Sequence, residues 1–193
     1  MTERISITIP IHRPSNQEKL FFVLSGMIVS IPLSAFIYTF SDYILPWLPA
    51  ASAGLVFTVL IAPFVEEFSK AYPLFFRHAE TERSIFTLGF LVGFGFGLVE
   101  FVEYVIFFNA PVLLRLPGIF FHASSTSIIA FGIGRKRDFP FYLLAVVLHL
   151  SNNFFAAPQL WPLYVLCGPV VIGLTYYLSW FFYGRTRERV IPF

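Results

Sequence analysis

The sequence predicts an all-α polytopic membrane protein of about six transmembrane helices, and two observations carry this prediction. The 193-residue chain is 57% hydrophobic and 12% charged, with a mean hydropathy of +0.75. Soluble domains carry about 25% charged residues, so water is not the main solvent of this chain. Six apolar runs also follow one another, and each can cross or nearly cross a bilayer at roughly 20 residues per crossing.

Charged or turn-forming residues bound each of the six runs. The first run follows Lys19, the second Pro49, the third Arg83, the fourth Arg115 and the fifth Asp138, and the sixth ends before Arg185. One membrane-embedded domain over residues 1–193 is the simplest organisation, because the runs leave little chain for anything else. The predicted helices cover residues 20–40, 50–76, 84–108, 116–133, 139–157 and 160–183.

The distribution of basic residues predicts that the N and C termini are both cytoplasmic. Of the thirteen Lys and Arg residues, Arg115 alone falls in a predicted external loop and Lys70 alone within a span. Cytoplasmic loops carry the excess of basic residues in membrane proteins, so this alternation favours six crossings. The triplet Arg135, Lys136 and Arg137 fits a topology determinant near anionic lipid rather than a nucleic-acid site. We therefore expect a multi-pass protein of the cell membrane without a nucleic-acid partner.

Ionisable and polar side chains interrupt four of the predicted helices. An ionisable group at bilayer depth costs about 2.5 kcal/mol or more on insertion scales, so each one requires a partner or a function. The second helix carries three of these residues, the third two, the fourth one and the fifth two. They are Glu66, Glu67, Lys70, Glu100, Glu103, His122, His149 and Asn153.

Counting from the cytoplasmic helix ends places Glu66, His122 and His149 in one layer. Each lies about ten residues from that end, or roughly 15 Å at a rise of about 1.5 Å per residue. We therefore expect these three side chains to meet within the bundle.

Glycines on the third helix predict which way Glu100 points. Gly89, Gly93 and Gly97 recur every four residues, which lets a neighbouring helix approach closely. Glu100 follows Gly97 by three residues and shares its face. Glu100 is therefore expected on the packed side of the helix and in the same layer.

Two pairs at four-residue spacing share a helix face. Glu66 and Lys70 can pair along the second helix, and one glutamate can then be neutralised while the other addresses the bundle centre. Asn153 lies one turn after His149, so its amide can orient the imidazole or bind a substrate carbonyl.

Two chemistries would use this set of side chains. Two imidazoles and a carboxylate suffice as protein ligands of a catalytic zinc, with another glutamate as general base. Alternatively, a buried glutamate activates water without metal while histidine and asparagine stabilise the oxyanion. Both are hydrolysis inside a membrane.

The same residues form an ordered set of motifs that resembles the PrsW-type intramembrane proteases, relatives of the CAAX prenyl-protease and bacteriocin-processing superfamily. The motifs are Glu-Glu-x-x-Lys at 66–70, Phe-x-x-x-Glu at 96–100, His-x-x-x-Thr at 122–126 and His-x-x-x-Asn at 149–153. Their order and spacing agree over about residues 60 to 155. Ser125 and Asn152 stand where family members often carry tryptophan.

The resemblance implies a multi-pass peptidase that cleaves a membrane-anchored protein substrate within the lipid bilayer. Zinc is the implied cofactor, and the glutamate-dependent mechanism described for CAAX-protease relatives is the alternative. The implied catalytic residues are Glu66, Glu67 and, as support, Asn153, and the implied metal-binding or water-positioning residues are Glu100, His122 and His149.

Two other functions use the same residues. A proton- or ion-coupled transporter would employ the carboxylates and imidazoles as a relay, although the sequence has no visible two-fold repeat of the kind many transporters contain. A non-catalytic scaffold or immunity-like protein would need them for stability alone. The sequence leaves the oligomeric state open.

Overall fold

Six helices long and apolar enough to span a membrane make up the fold in the described part of the chain. The structure is a computed structural model and describes residues 11–76, 81–156 and 161–191. The predicted all-α membrane bundle is confirmed, while the predicted helix ends at 157 and 160 lie outside the described residues. The helices are α1 (Asn16–Trp47), α2 (Ser52–Phe76), α3 (Glu82–Ile106), α4 (Val112–Gly134), α5 (Asp138–Ala156) and α6 (Trp161–Tyr183).

A capping box starts α1 four residues earlier than the apolar run predicts. The Glu18 amide donates to Ser15 Oγ at 3.2 Å, and the Ser15 amide donates to Glu18 Oε2 at 2.7 Å. These two bonds satisfy amides that the first helical turn otherwise leaves without partners. The polar residues ahead of the apolar run are therefore helical as well.

Both α1 and α2 depart from regular α-helical geometry. Gly26–Ser30 in α1 is π-helical, and Thr39–Tyr43 and Leu45–Trp47 at its end are 3₁₀-helical. In α2, Val56–Ile61 is π-helical and is followed by the regular segment Ala62–Ala71, which carries Glu66, Glu67 and Lys70. A π-helical segment changes the rotation of the residues beyond it relative to a regular helix.

The glycine face of α3 packs against α4. A Cβ atom at Gly89 would collide with the side chain of Ala130, one at Gly93 with the carbonyl of His122, and one at Gly97 with the backbone of Ile119. The predicted close approach at these glycines is confirmed. It brings the backbone of α3 directly against the turn of α4 that carries His122.

The segment after α6 folds back over one end of the bundle. Val190 forms an isolated bridge with Thr81, the Glu82 amide donates to the Arg189 carbonyl at 3.2 Å, and the Glu82 carboxylate lies 3.2 Å from Arg135 Nη2. The start of α3 and the ends of α4 and α6 therefore lie at the same end of the bundle, as alternating spans require. The cytoplasmic location of the termini stays a prediction.

Candidate active site

Four helices bring the predicted polar residues together inside the bundle. Glu67 and Lys70 on α2 are fully buried, and His122 on α4 and His149 on α5 are 4% and 3% exposed. Charged groups are almost never fully buried unless they are paired, and each of these has a partner. The expectation that residues from the separate helices meet in one layer is confirmed.

Glu67 is the centre of the hydrogen-bond network. Its Oε1 atom accepts hydrogen bonds from Lys70 Nζ at 2.7 Å and from His149 Nδ1 at 2.8 Å. Ser125 Oγ lies 3.1 Å and 3.2 Å from its two oxygens. An ammonium, an imidazole and a hydroxyl thus offset the cost of burying this carboxylate.

The predicted pairing of Lys70 with Glu66 is wrong, because Lys70 pairs with Glu67 instead. Positions three apart share a helix face as well as positions four apart, so the spacing permitted either partner. The ammonium points toward α4, where Ser125 Oγ lies 3.5 Å and His122 Nδ1 2.9 Å from it. These additional contacts favour the side of α2 on which Glu67 lies.

Glu66 has one oxygen bound and one without a hydrogen bond. Its Oε1 accepts a hydrogen bond from the hydroxyl of Tyr38 on α1 at 2.6 Å. Its Oε2 is buried and has no hydrogen-bond partner among the described residues, and it lies 3.7 Å from His149 Nε2. A buried carboxylate oxygen without a partner is costly, and a metal ligand is one role that accounts for it.

His122 and His149 lie side by side with ring centroids 5.2 Å apart. The carboxylate of Glu100 on α3 contacts His122 Nε2, which confirms that Glu100 faces the packed side of its helix. Phe96 packs against His122 at 5.2 Å, and Phe121 packs against His149 at 5.5 Å. Each imidazole therefore contacts both a carboxylate and an aromatic ring.

Glu66, His122 and His149 could together hold a metal ion. One ligand atom from each of these residues lies within 4.8 Å of the others. Two imidazole nitrogens and one carboxylate oxygen are a ligand set of catalytic zinc sites, and the unpartnered Glu66 Oε2 is consistent with it. His122 Nδ1 lies 2.9 Å from Lys70 Nζ and Nε2 contacts Glu100, so Nε2 would bind the metal in place of that contact. The ligand set implied by the resemblance had Glu100 in the place of Glu66, whereas Glu100 here contacts His122 from the side of α3.

Asn153 lies one turn beyond His149 but its amide is used elsewhere. Its Nδ2 donates to the carbonyl of Thr58 at 3.0 Å, within the π-helical segment of α2. The neighbouring Asn152 Nδ2 lies 3.4 Å from Asn153 Oδ1. Asn153 thus connects α5 to α2, and its catalytic role stays a prediction.

Tyr38 is the residue at the site that the sequence analysis did not identify. It belongs to α1, a helix without ionisable residues at the predicted layer, and a tyrosine near a span end is common at the membrane interface. Predicting that the Tyr38 hydroxyl lies near Glu66 would have required the rotation of α1 relative to α2. Ser125 was recognisable because it lies on the same face of α4 as His122.

Comparison with known proteins identifies one family. The family model described as "PrsW family intramembrane metalloprotease" matches residues 17–182, which cover most of the chain. No significant match was found among curated proteins or among solved structures.

Proposed function

The chain belongs to the PrsW family of intramembrane metalloproteases, and we propose that Glu66, His122 and His149 form its catalytic metal site, with zinc as the metal. The single observation that carries the proposal is the buried, unpartnered Glu66 Oε2 grouped with two imidazoles from other helices. Zinc, when bound, would act as a Lewis acid toward the scissile carbonyl and would activate water for attack.

Glu67 and Lys70 support the site without taking part in bond making. Glu67 Oε1 fixes Nδ1 of His149, so Nε2 faces Glu66 Oε2. Lys70 balances the charge of Glu67 at 2.7 Å. Lys70 and His149 donate to Glu67 Oε1, and Ser125 Oγ lies near both of its oxygens. Glu66 Oε2 has no such partner among the described residues, so Glu66 is the member of the adjacent pair that is available to a metal.

Glu100 is the proton-transfer group of the proposal. Its side chain is 23% exposed and contacts His122, whereas that of Glu67 is fully buried. During hydrolysis the water oxygen bonds to the carbonyl carbon, the carbon–nitrogen bond breaks, and the amine leaves with a proton. Glu100 accepts the proton of the attacking water and returns it to the departing amine nitrogen.

The substrate is a membrane-anchored protein, and the enzyme acts in the cell membrane. The reactive side chains are all carried by membrane-spanning helices, so the scissile bond has to enter the bilayer. A substrate segment that is itself held in the membrane meets this condition, and a freely soluble peptide does so only after partitioning into lipid.

Metal analysis of the purified protein tests the proposed site. We expect about one zinc per chain in the wild type, as in single-metal catalytic sites, and loss of zinc in His149→Ala and Glu66→Gln. Glu103→Gln is the matched control, because Glu103 is an exposed carboxylate one turn beyond Glu100. Zinc retained in Glu66→Gln would remove this residue from the ligand set. Folded wild type that binds no metal would instead favour water activation by Glu66 alone.

A further inference from the structure

A cleft opens between the end of α1 and the beginning of α2. It has a volume of about 520 Å³ and is lined mainly by small and apolar side chains, among them Ala35, Ala53, Gly54 and Phe57. It lies where α1 ends and α2 begins, so it is at the end of these helices opposite to Asn16 and Phe76. The metal-binding group does not line it.

Tyr38 connects this cleft to the active site. Its side chain lines the cleft, and its hydroxyl donates to Glu66 Oε1 at 2.6 Å. Its ring also packs edge-on against Phe57, another lining residue, with centroids 5.0 Å apart. A group bound in the cleft would therefore lie next to the residue that holds the proposed metal ligand Glu66.

The cleft is too small for a helix, and its lining fits an extended peptide better than a lipid chain. A volume of 520 Å³ lies within the range of about 300–1,000 Å³ that holds small ligands. One turn of a helix about 10 Å across already occupies roughly 420 Å³, so the cleft is too small for a transmembrane helix. Thr39, Ser41 and Asp42 add polar groups to the apolar walls. Ser41 donates its hydrogen to the Tyr38 carbonyl, but the exposed Asp42 carboxylate can accept hydrogen bonds from peptide N–H groups, which an acyl chain lacks.

We propose that the cleft is a substrate subsite, which receives an apolar side chain of an unwound substrate segment beside the peptide bond to be cleaved. An intact transmembrane helix keeps its backbone groups bonded within itself, so the segment must unwind before its scissile peptide bond reaches the metal-binding group. This inference rests on the proposed function, because it names where the substrate of that site is held.

Thiol protection tests the cleft without requiring cleavage. Cys167 is the one cysteine of the chain, so Cys167→Ser gives a cysteine-free background. Gly54→Cys then places a thiol in the cleft, and Leu113→Cys on α4 is the matched control, because both positions lie within the first turn of their helices. An added Cβ at Gly54 meets no atom within 4 Å, and Leu113 is 80% exposed, so both variants are expected to fold.

The probe is a mixture of apolar decapeptides of randomised sequence, added to the protein in lipid nanodiscs before maleimide labelling. We expect labelling at Gly54→Cys to slow about tenfold at a peptide concentration near ten times Kd, because the free fraction falls to about one tenth. Labelling at Leu113→Cys should not change. Unchanged labelling at both thiols, or equal slowing at both, would overturn the subsite. A labelling rate at Gly54→Cys that changes with the chain length of the lipid but not with the peptide concentration would assign the cleft to lipid.

Filling the cleft separates the failure of this inference from the failure of the metal site. In the double variant Ala53→Cys/Gly54→Leu, the leucine fills the cleft and the thiol at position 53 is labelled. Peptide protection of this thiol should be lost, while zinc content stays at the wild-type level. If the Gly54→Cys protein binds zinc but peptide does not protect its thiol, the subsite is overturned and the metal site is not. Peptide protection in a protein that binds no metal supports the subsite and overturns the proposed metal site.

Discussion

Glu67 Oε1 accepts a hydrogen bond from His149 Nδ1 at 2.8 Å, although the two residues are 82 positions apart in sequence. An ionised carboxylate can only accept, so the proton lies on Nδ1 and the Nε2 lone pair of His149 is left toward Glu66. Carboxylate partners of this kind orient metal-ligating imidazoles and raise their basicity. Glu67 is thus a positioning residue for His149 as well as the counter-charge of Lys70.

Replacing Glu67 is expected to weaken both metal binding and folding. In Glu67→Ala the zinc affinity should fall about 10–100-fold, the usual effect of losing such a carboxylate partner. Lys70 would remain as a fully buried charge without its carboxylate, which costs about 3–5 kcal/mol. Chelator competition measures the zinc affinity, and thermal unfolding in detergent measures the stability.

The double variant Glu67→Ala/Lys70→Met separates these two effects. Removing the ammonium removes the uncompensated charge, so stability should recover much of its loss. The zinc affinity should stay low, because the bond to His149 Nδ1 is still absent. Zinc affinity at the wild-type level in either variant would contradict the positioning role of Glu67.

Tyr38→Phe is expected to loosen the metal site through Glu66. The variant keeps the ring against Phe57 but removes the hydroxyl that holds Glu66 Oε1. A lost hydrogen bond costs about 1 kcal/mol, and zinc affinity should fall severalfold because the carboxylate is no longer fixed. Tyr176→Phe is the matched control, since its hydroxyl also makes a 2.6 Å bond, to the Pro117 carbonyl. Equal zinc affinities in the two variants would show that Tyr38 contributes stability alone.

The sequence predicts the composition of the site better than its internal geometry. Helical spacing and depth were enough to bring Glu66, His122 and His149 into one layer, because each count stays within one span and does not cross the π-helical segment of α2. The partner of Lys70 could not be predicted, since positions 66 and 67 are both within its reach. The contacts of Lys70 with His122 and Ser125 on α4 favour position 67. Tyr38 could not be predicted either, because the π-helical segments of α1 and α2 alter the rotation of one helix relative to the other.

Gly93→Ala is expected to disturb the active site through the packing of α3 against α4. An added Cβ would collide with the carbonyl of His122 and lie 2.6 Å from Thr126 Oγ1. Overpacking of this kind costs about 1–3 kcal/mol, and it pushes on the turn that carries a proposed metal ligand. We expect a lower unfolding temperature together with weaker zinc binding. Gly173→Ala, where the Cβ meets open space, should match the wild type in both measurements.

Metal removal is expected to destabilise the fold, because the proposed ligands come from three helices. Glu66 lies on α2, His122 on α4 and His149 on α5, so a metal bound by all three ties those helices together. A ligand that binds only the folded state stabilises it by about 2.7 kcal/mol at a free concentration of 100 times Kd. Adding a chelator should therefore lower the unfolding temperature of the wild type and of Glu103→Gln, and returning zinc should restore it. His122→Ala should unfold at one temperature with or without zinc. A zinc-dependent shift that persists in His122→Ala would place the metal elsewhere in the chain.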